Sequence, residues 1–588
     1  MSNGSPELRQ HTARINRRVG TIAQNPLHIP NYIVNFDPSR RADGNWENSE
    51  ELGFTNAKQL LEWVKLKNSK KTMGPDGSSN YLLKHCNMLV LKHLAVIFNH
   101  CFNSGYFPNA WKCSRITPIL KPKAKPQSLQ GYRPISILSA ISLLFEKMLM
   151  AQIKKHLDSH QILKPYQFGF RDNLSISNPL AVANSFISSN IARQRATIAC
   201  ALDFEKAFDT VWTNGLIYKM SSTFRFNPNT TRIIQSYLTT RSFYVASPDG
   251  IEQSLIREIT AGVPQGSLLA PILYNIYLAD LPAFIQIPTS TSTARIQPLV
   301  YADDILLLSS GAWIASAEMD LNRYLDQLCK YFAKWRLKLN VNKCEGCIFK
   351  GPRLKSIYKN ARKFKPKLYI NGNTEIQTRS KIKYLGVIYD EKLKFQEHIE
   401  HTLKRAKIQL HQIHHIYKPL NENPSHPNAQ SIKIGSLAYK KLIQPILIHG
   451  HIGWFNIKSR QMEEIRLFER RILRRALGKC SLIPHSHNYI SNSKLYKISK
   501  TKRVDTLIFK IIEKFLERNR NSTNQQILDS IEQIRIPVGF STNHLTINHI
   551  NSLKEKGIIR NSQNNLIFYH RKRQSIDPND GLAYNIKQ

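Results

Sequence analysis

Acidic residues are scarce in this chain. Its 588 residues hold 41 Asp plus Glu against 84 Lys plus Arg, a formal net charge of +43. That imbalance says nothing about fold but favours a polyanionic partner; a ribosome-associated or membrane-surface protein would show the same balance. Cysteine is scarce too. The eight, at 86, 101, 113, 200, 329, 344, 347 and 480, suit reduced intracellular thiols rather than a disulfide scaffold. Cys344 and Cys347 form one CxxC pair with no second pair at zinc-site spacing, and Cys480 with His485 and His487 is similarly unsupported. No cysteine follows 480, which excludes a zinc knuckle in the tail. Long apolar runs are missing: none approaches the roughly 18 residues that span a bilayer. The stretch ISILSAISLLFEKMLM is interrupted by Glu146 and Lys147 and reads as a core helix. The N-terminus, MSNGSPELRQHTARINRRVG, has no apolar signal segment. Nucleic acid is therefore the expected partner class.

Residues 1–54 are polar and turn-rich. Ala57, Leu60, Leu61 and Val64 recur at helical spacing, and Gly74-Pro75-Asp76-Gly77 reads as a turn. From about 100 to 375, helical and strand patterns alternate, which points to a mixed α/β domain. Its last long helix places Leu321, Leu325, Leu328, Phe332 and Trp335 on one face. KYLGVIYD (383–390) reads as strand and turn. Ile399, Leu403, Ala406, Leu410, Ile413 and Tyr417 then recur at helical spacing, with Lys404, Arg405, Lys407, His411 and His414 on the remaining faces. A second basic helix, RLFERRILRRALGK, stops at Gly478. Two basic helices in succession suggest a clamp on a nucleic-acid backbone. A last amphipathic helix carries Val504, Leu507, Ile511 and Phe515, followed by Asn/Gln-rich sequence.

The informative stretch is LVYADDILLL (299–308), where Asp303 and Asp304 interrupt an apolar hairpin. Buried together, two carboxylates repel unless something cationic neutralises them, and magnesium does this well. A plain exposed Asp-Asp turn would give the same letters. A third carboxylate weighs against that: TIACALDFEKAFDTVW (197–212) starts as an apolar strand and delivers Asp203 at its end. Phosphoryl or nucleotidyl transfer needs acidic ligands converging on two ions about 4 Å apart. Asp209 competes for the role, but Asp203 directly follows the apolar run. In a polymerase palm, an aromatic at Phe208 lies under the incoming sugar and excludes a 2′-hydroxyl; as a bare Phe it is equally a core residue.

With these residues the sequence resembles the reverse transcriptases of non-LTR (LINE-type) retrotransposons, most like the jockey group, over about residues 70–480. YADD (301–304), ALDFEKAFDTV, AGVPQGSLLAPILYNIYLADL (261–281), GYRPISIL (131–138), PYQFGFR (165–171), WRLKLNVNKCEGCIF (335–349) and KYLGVIYD follow the family's blocks in order. The resemblance implies an α+β right-hand polymerase with an antiparallel palm sheet and a helical thumb. It divides the chain into an N-terminal extension (1–54), a helical extension of the fingers (55–100), fingers and palm (101–375), thumb (376–480) and a C-terminal helical and polar region (481–588). It implies that Asp203, Asp303 and Asp304, with the Phe204 carbonyl, hold two Mg2+ ions, Mn2+ being a substitute. Lys121 and Arg133 would contact the triphosphate, Gln265 and Gly266 the incoming nucleotide and template, and Lys343 would protonate pyrophosphate. On their own context, Lys121, Arg133 and Lys343 are ordinary basic residues. Leu174, Ile176 and KTMGPDGS depart from the usual family pattern without touching a metal ligand.

The implied activity is RNA-directed DNA synthesis: a primer 3′-hydroxyl extended with dNTPs on an RNA template. The implied partners are template RNA, primer DNA and dNTPs, with no membrane. Relatives usually carry an upstream endonuclease, and the residues before the palm blocks are too few for a typical domain; a 5′-truncated element, a split reading frame or nicking supplied by another chain would each account for that. A nuclear location, and a cytoplasmic ribonucleoprotein besides, follows from that chemistry; HRKRQ (570–574) is only a weak basic patch. Two rivals remain: a catalytically inactive, domesticated RNA-binding scaffold, and an RNA-dependent RNA polymerase, against which Phe208 argues.

Overall fold

The computed structural model describes residues 55–533 except 67–71, 122–123, 129–130, 248–251, 285–294, 312, 351–363, 418–428 and 478–489. The extension 1–54, the Asn/Gln-rich tail, the 570–574 patch and Cys480 with His485 and His487 lie outside the described residues. No helix among those described is long and apolar enough to cross a membrane.

Helices α1 (Ala57–Leu66) and α2 (Met88–Ser104) lead into the body and bury Leu60, Val64, Leu91, Leu94 and Phe98 in one core. Helix α2 opens on Asn87, whose side chain accepts from the Val90 amide, and closes on Gly105 in the left-handed region. Strands β1 (Cys113–Leu120) and β2 (Tyr132–Ile137) pair antiparallel. Helix α3 (Ala140–Ser159) follows, capped by Ser139, and then α4 (Ser177–Ala192). Strand β3 (Thr197–Leu202) starts a second sheet. After α5 (Pro228–Leu238), β4 (Arg241–Val245) returns beside β1 in parallel and β5 (Arg257–Ile259) joins β4. The first sheet thus has the order β2-β1-β4-β5.

Helix α6 (Ala270–Tyr277) leads to the hairpin β6 (Arg295–Tyr301) and β7 (Asp304–Ser310), which flanks β3 on one side. Helix α7 (Ile314–Lys334) is followed by β8 (Glu345–Phe349), which flanks β3 on the other side. With β9 (Leu368–Ile370) and β10 (Thr374–Arg379) the order is β6-β7-β3-β8-β10-β9. Its pairings are antiparallel except β8 with β10, a parallel junction within the expected antiparallel palm sheet. Strands β11 (Lys381–Tyr384) and β12 (Val387–Asp390) form a separate hairpin over the stretch read as strand and turn.

The central strands are buried on both faces, because alternate residues point to opposite sides. Ile198, Cys200, Leu202, Ile305, Leu307 and Ile348 enter one core, with α7 and its buried Leu321, Leu325, Leu328 and Phe332. Ala199, Leu306, Leu308, Cys347 and Phe349 enter the other, with α4. Cys344 and Cys347 fall into different cores, so the CxxC pair cannot chelate one ion. The described cysteines are free thiols.

The second core continues into α8 (Gln396–Gln412), α9 (Ala429–Ala438), α10 (Ser459–Ala476), α11 (Asn492–Ser499), α12 (Val504–Asn519) and α13 (Gln525–Gln533). Packing therefore runs without a break past residue 480. Asn178 of α4 donates to Asn519 at 2.8 Å, and Asn524 donates to the Pro165 carbonyl at 2.7 Å. On α8, Ile399 and Ala406 are buried and Lys404, Arg405 and Lys407 exposed, as their spacing indicates. On α12 the buried face is Val504, Ile508, Ile512 and Phe515, whereas Leu507 and Ile511 are half-buried. That helix is apolar on several faces, so periodicity could not choose between them. The basic face expected of α10 is only partly free. Arg466 pairs with Asp505 and Glu463, Arg470 with Glu463, and buried Arg474 donates to Asn492; Arg460, Arg471 and Arg475 remain exposed.

Lys219 is fully buried, its Nζ 2.5 Å from the Tyr277 carbonyl, 2.6 Å from Asp280 Oδ1 and 2.7 Å from the Tyr331 hydroxyl. Trp335 lies against it at 3.9 Å to the ring centre. Burial lowers its pKa to about 7, against the pull of Asp280. The ammonium thus ties the end of α6 to the end of α7. Lys219→Ala leaves Asp280 without its counter-charge and is expected to cost about 3–5 kcal/mol in denaturant unfolding; a loss below about 1 kcal/mol would contradict this role.

Candidate active site

Asp203 directly follows β3, and the register Leu202↔Ile305 sets it beside the β6–β7 turn. That turn is two residues long, closed by the pair Tyr301↔Asp304. Ala302 takes φ +56° there, as such turns require, at a cost of about 1–2 kcal/mol for a residue with a Cβ. The strain is held from below. The Phe168 amide donates to the Val300 carbonyl and the Val300 amide to the Tyr166 carbonyl, both at 2.8 Å. Gly169 then passes so close that a Cβ would stand 2.6 Å from the Ala302 nitrogen. On the other side of Asp203, its carbonyl accepts from the Asn340 amide at 2.8 Å and the Glu205 amide donates to Lys338. This brings Lys343 Nζ within 3.2 Å of Asp203 Oδ2.

A cleft of about 1090 Å³ opens here, lined by Lys121, Arg133, Asp203, Phe204, Phe208, Gln265, Gly266, Asp303 and Lys343. Of the residues assigned to the site from the sequence, Asp304 alone is outside its lining, as the first residue of β7. Phe208 stacks on buried Tyr274, with ring centres 4.8 Å apart and planes 25° apart, and shows one side to the cleft. Gln265 Nε2 donates to Asp209 Oδ1 at 2.9 Å, so Asp209 braces the wall beside the carboxylates. The Gln265 carbonyl accepts from the Ser136 amide at 2.7 Å. Gly266 has φ +134°, and a Cβ would stand 2.3 Å from the Ser136 oxygen, so only glycine fits against β2. The roles of Asp209 and Gly169 escaped the sequence reading. Their positions sit inside recognised blocks, but each contact is made across dozens of residues.

A family model described as reverse transcriptase (RNA-dependent DNA polymerase) matches residues 119–389. This segment is a reverse transcriptase domain. The RNA-directed DNA polymerase from mobile element jockey of Drosophila melanogaster is 28% identical over 449 residues, covering 76% of this chain and 46% of that protein. Its counterpart from Drosophila funebris is 30% identical over 421 residues, covering 71% and 43%. The probable RNA-directed DNA polymerase from transposon BS of Drosophila melanogaster is 28% identical over 465 residues, covering 79% and 48%. The chain spans about half the length of the curated relatives it matches. The resemblance to non-LTR retrotransposon polymerases of the jockey kind is borne out.

Reverse transcriptases depend on a divalent metal, and the charge state of this cleft suits one. Burial raises the Asp303 carboxyl above its usual range, Asp203 adds to this, and Arg133 and Lys343 oppose it. Asp304 is pushed up to about 6 by burial, then by Asp303 and Asp203, with Lys383 opposing. Carboxyls raised by burial and by neighbouring negative charge would be held ionised by a bound cation, and hard oxygen donors fit magnesium in kind. The donors are neighbours rather than a closed cage: among the described residues no three His, Cys, Asp or Glu side chains are gathered for a metal, and Asp203 faces Lys343. The Lys343 pair is largely exposed and contributes little stability.

The turn should depend on the missing Cβ beneath it. Gly169→Ala is expected to displace Ala302 and to cost about 1–3 kcal/mol in urea unfolding. A variant as stable as the parent would show that the contact yields freely.

Proposed function

We propose that this chain is the RNA-directed DNA polymerase of a non-LTR retrotransposon, extending a primer 3′-hydroxyl with dNTPs on an RNA template. The observation that carries the reading is the convergence of Asp203 and Asp303 on one cleft with Lys121, Arg133, Phe208, Gln265 and Gly266. Asp203, Asp303, Asp304 and the Phe204 carbonyl would hold two magnesium ions, or manganese in their place, which supply Lewis acidity to the attacking hydroxyl and the leaving pyrophosphate. Arg133 and Lys121 orient the triphosphate, one as a planar fork and the other as a point charge. Gln265 and Gly266 form the wall against which base and sugar rest, and Phe208 closes the space where a 2′-hydroxyl would stand. Lys343, paired with Asp203, would give a proton to the departing pyrophosphate.

Residues 101–375 act in this reading as fingers and palm and 376–480 as thumb, with the helices beyond 490 seated on its core. Lys404, Arg405 and Lys407 of α8 and Arg460, Arg471 and Arg475 of α10 are exposed, and in this reading they would contact the phosphate backbone of template RNA and primer DNA. An endonuclease supplied by another chain would open the primer, and the nucleus, with a cytoplasmic ribonucleoprotein stage, is where such synthesis takes place.

Asp303→Asn is expected to reduce magnesium-dependent dNTP incorporation on poly(rA)/oligo(dT) by roughly 100- to 1000-fold or more, while filter binding of RNA stays near wild type. Extension that survives would refute the assignment. Phe208→Ala should raise ribonucleotide use relative to deoxynucleotide on the order of 10-fold, measured by competition on the same primer; unchanged discrimination would return Phe208 to the core.

A further inference from the structure

Helix α3 buries a carboxylate that the cleft does not contain. Glu146 has no exposed surface. A buried charge is costly unless hydrogen bonds and an opposite charge compensate it. Glu146 Oε1 accepts from the Ser142 hydroxyl one turn earlier on its own helix at 3.5 Å, and the opposite charge is Arg241 of β4. Three further hydrogen bonds to Glu146 come from a single loop. Its Oε2 accepts from the Ser267 hydroxyl at 2.8 Å, the Leu268 amide at 2.8 Å and the Leu269 amide at 3.3 Å. The Ser267 hydroxyl in turn accepts from the Tyr237 hydroxyl at 2.8 Å and from the amides of Leu269 at 2.9 Å and Ala270 at 3.1 Å. Arg241, 1% exposed, lies over the Tyr237 ring at 4.7 Å. Burial raises the Glu146 carboxyl, and Ser267, Arg241 and the two amides pull it back down.

Serine alone can cap α6. The carboxylate adds a tether to a different element, more than a hundred residues earlier in the chain. The tethered loop continues directly from Gln265 and Gly266. Those two residues are held in front by β2, through the Ser136 amide and the close approach of Gly266. Behind them the next three residues are held by α3. Strand β2 and helix α3 are consecutive, and β2 also carries Arg133. One strand–helix unit therefore sets both the arginine aimed at the triphosphate and the wall aimed at the base and sugar.

We propose that Glu146 is a positioning residue for the incoming nucleotide: through Ser267, Leu268 and Leu269 it fixes where Gln265 and Gly266 stand relative to Arg133. The inference rests on the nucleotide-binding reading of the cleft. It concerns the wall's position rather than the chemical step, so it shows in nucleotide affinity.

The test compares the full chain with Glu146→Gln, which keeps a carbonyl acceptor, and Glu146→Leu, which keeps none. In single-nucleotide incorporation on poly(rA)/oligo(dT), the apparent KM for dTTP is expected to rise about 10-fold for Glu146→Gln and about 100-fold for Glu146→Leu. The kcat should stay within about 3-fold and primer–template affinity should be unchanged. A merely structural role lowers kcat through a smaller active fraction and leaves KM alone; that result overturns the proposal. Hydrogen exchange without substrate supplies a second readout. Glu146→Gln should speed exchange at residues 267–269 while β3 and β7 keep their protection. Unchanged exchange there, or faster exchange throughout, overturns the proposal. Should the wild-type chain incorporate no nucleotide, the polymerase reading fails and the exchange experiment alone decides the tether.

Discussion

The register between β3 and β7 is the constraint on which the site depends. Both faces of these strands are buried, with alternate residues committed to different cores. A slip by one residue would send each of them to the wrong side. The paired alternation of Ile198, Cys200 and Leu202 against Ala199 therefore resists slippage, and it carries Asp203 to the level of Asp303 and Asp304. The position of the carboxylates follows from hydrophobic packing that has no chemistry of its own. Burial and mutual repulsion both disfavour the charged forms of Asp303 and Asp304; Arg133 and Lys343 oppose this at Asp303, and Lys383 at Asp304.

Scarcity of acid shapes the rest of the molecule. Several of the carboxylates are spent at junctions between elements. Glu146 ties α3 to the loop before α6, and Asp280 meets Lys219 between α6 and α7. Glu469 accepts from the hydroxyls of Tyr439 and Tyr496 and from the Val504 amide, joining α10 to its neighbours. Asp505 meets Arg466 and Arg503. On α10, Glu469 is buried while Arg460, Arg471 and Arg475 stand outward.

The helices beyond residue 480 extend this picture. They rest on α4 and reach the Pro165 carbonyl, at the start of the segment that supports the β6–β7 turn. Phe168, which supports the carboxylate turn, and the C-terminal helices thus share one core.

Much of this was legible along the chain. An apolar strand ending in Asp203, an apolar hairpin broken by Asp303 and Asp304, and the buried face of α7 are local patterns set by a period of two or 3.6 residues. The identity and order of the site residues are local in the same sense. Other features were settled only by the tertiary structure. The buried side of α12, the inward pairing of Arg466 and Arg474, the split of Cys344 and Cys347 between cores and the tethers on Gly266 from Ser136 and Glu146 each join residues remote in sequence. Spacing along the chain specifies what an element is, but a side chain's partner depends on which surfaces meet once those elements pack.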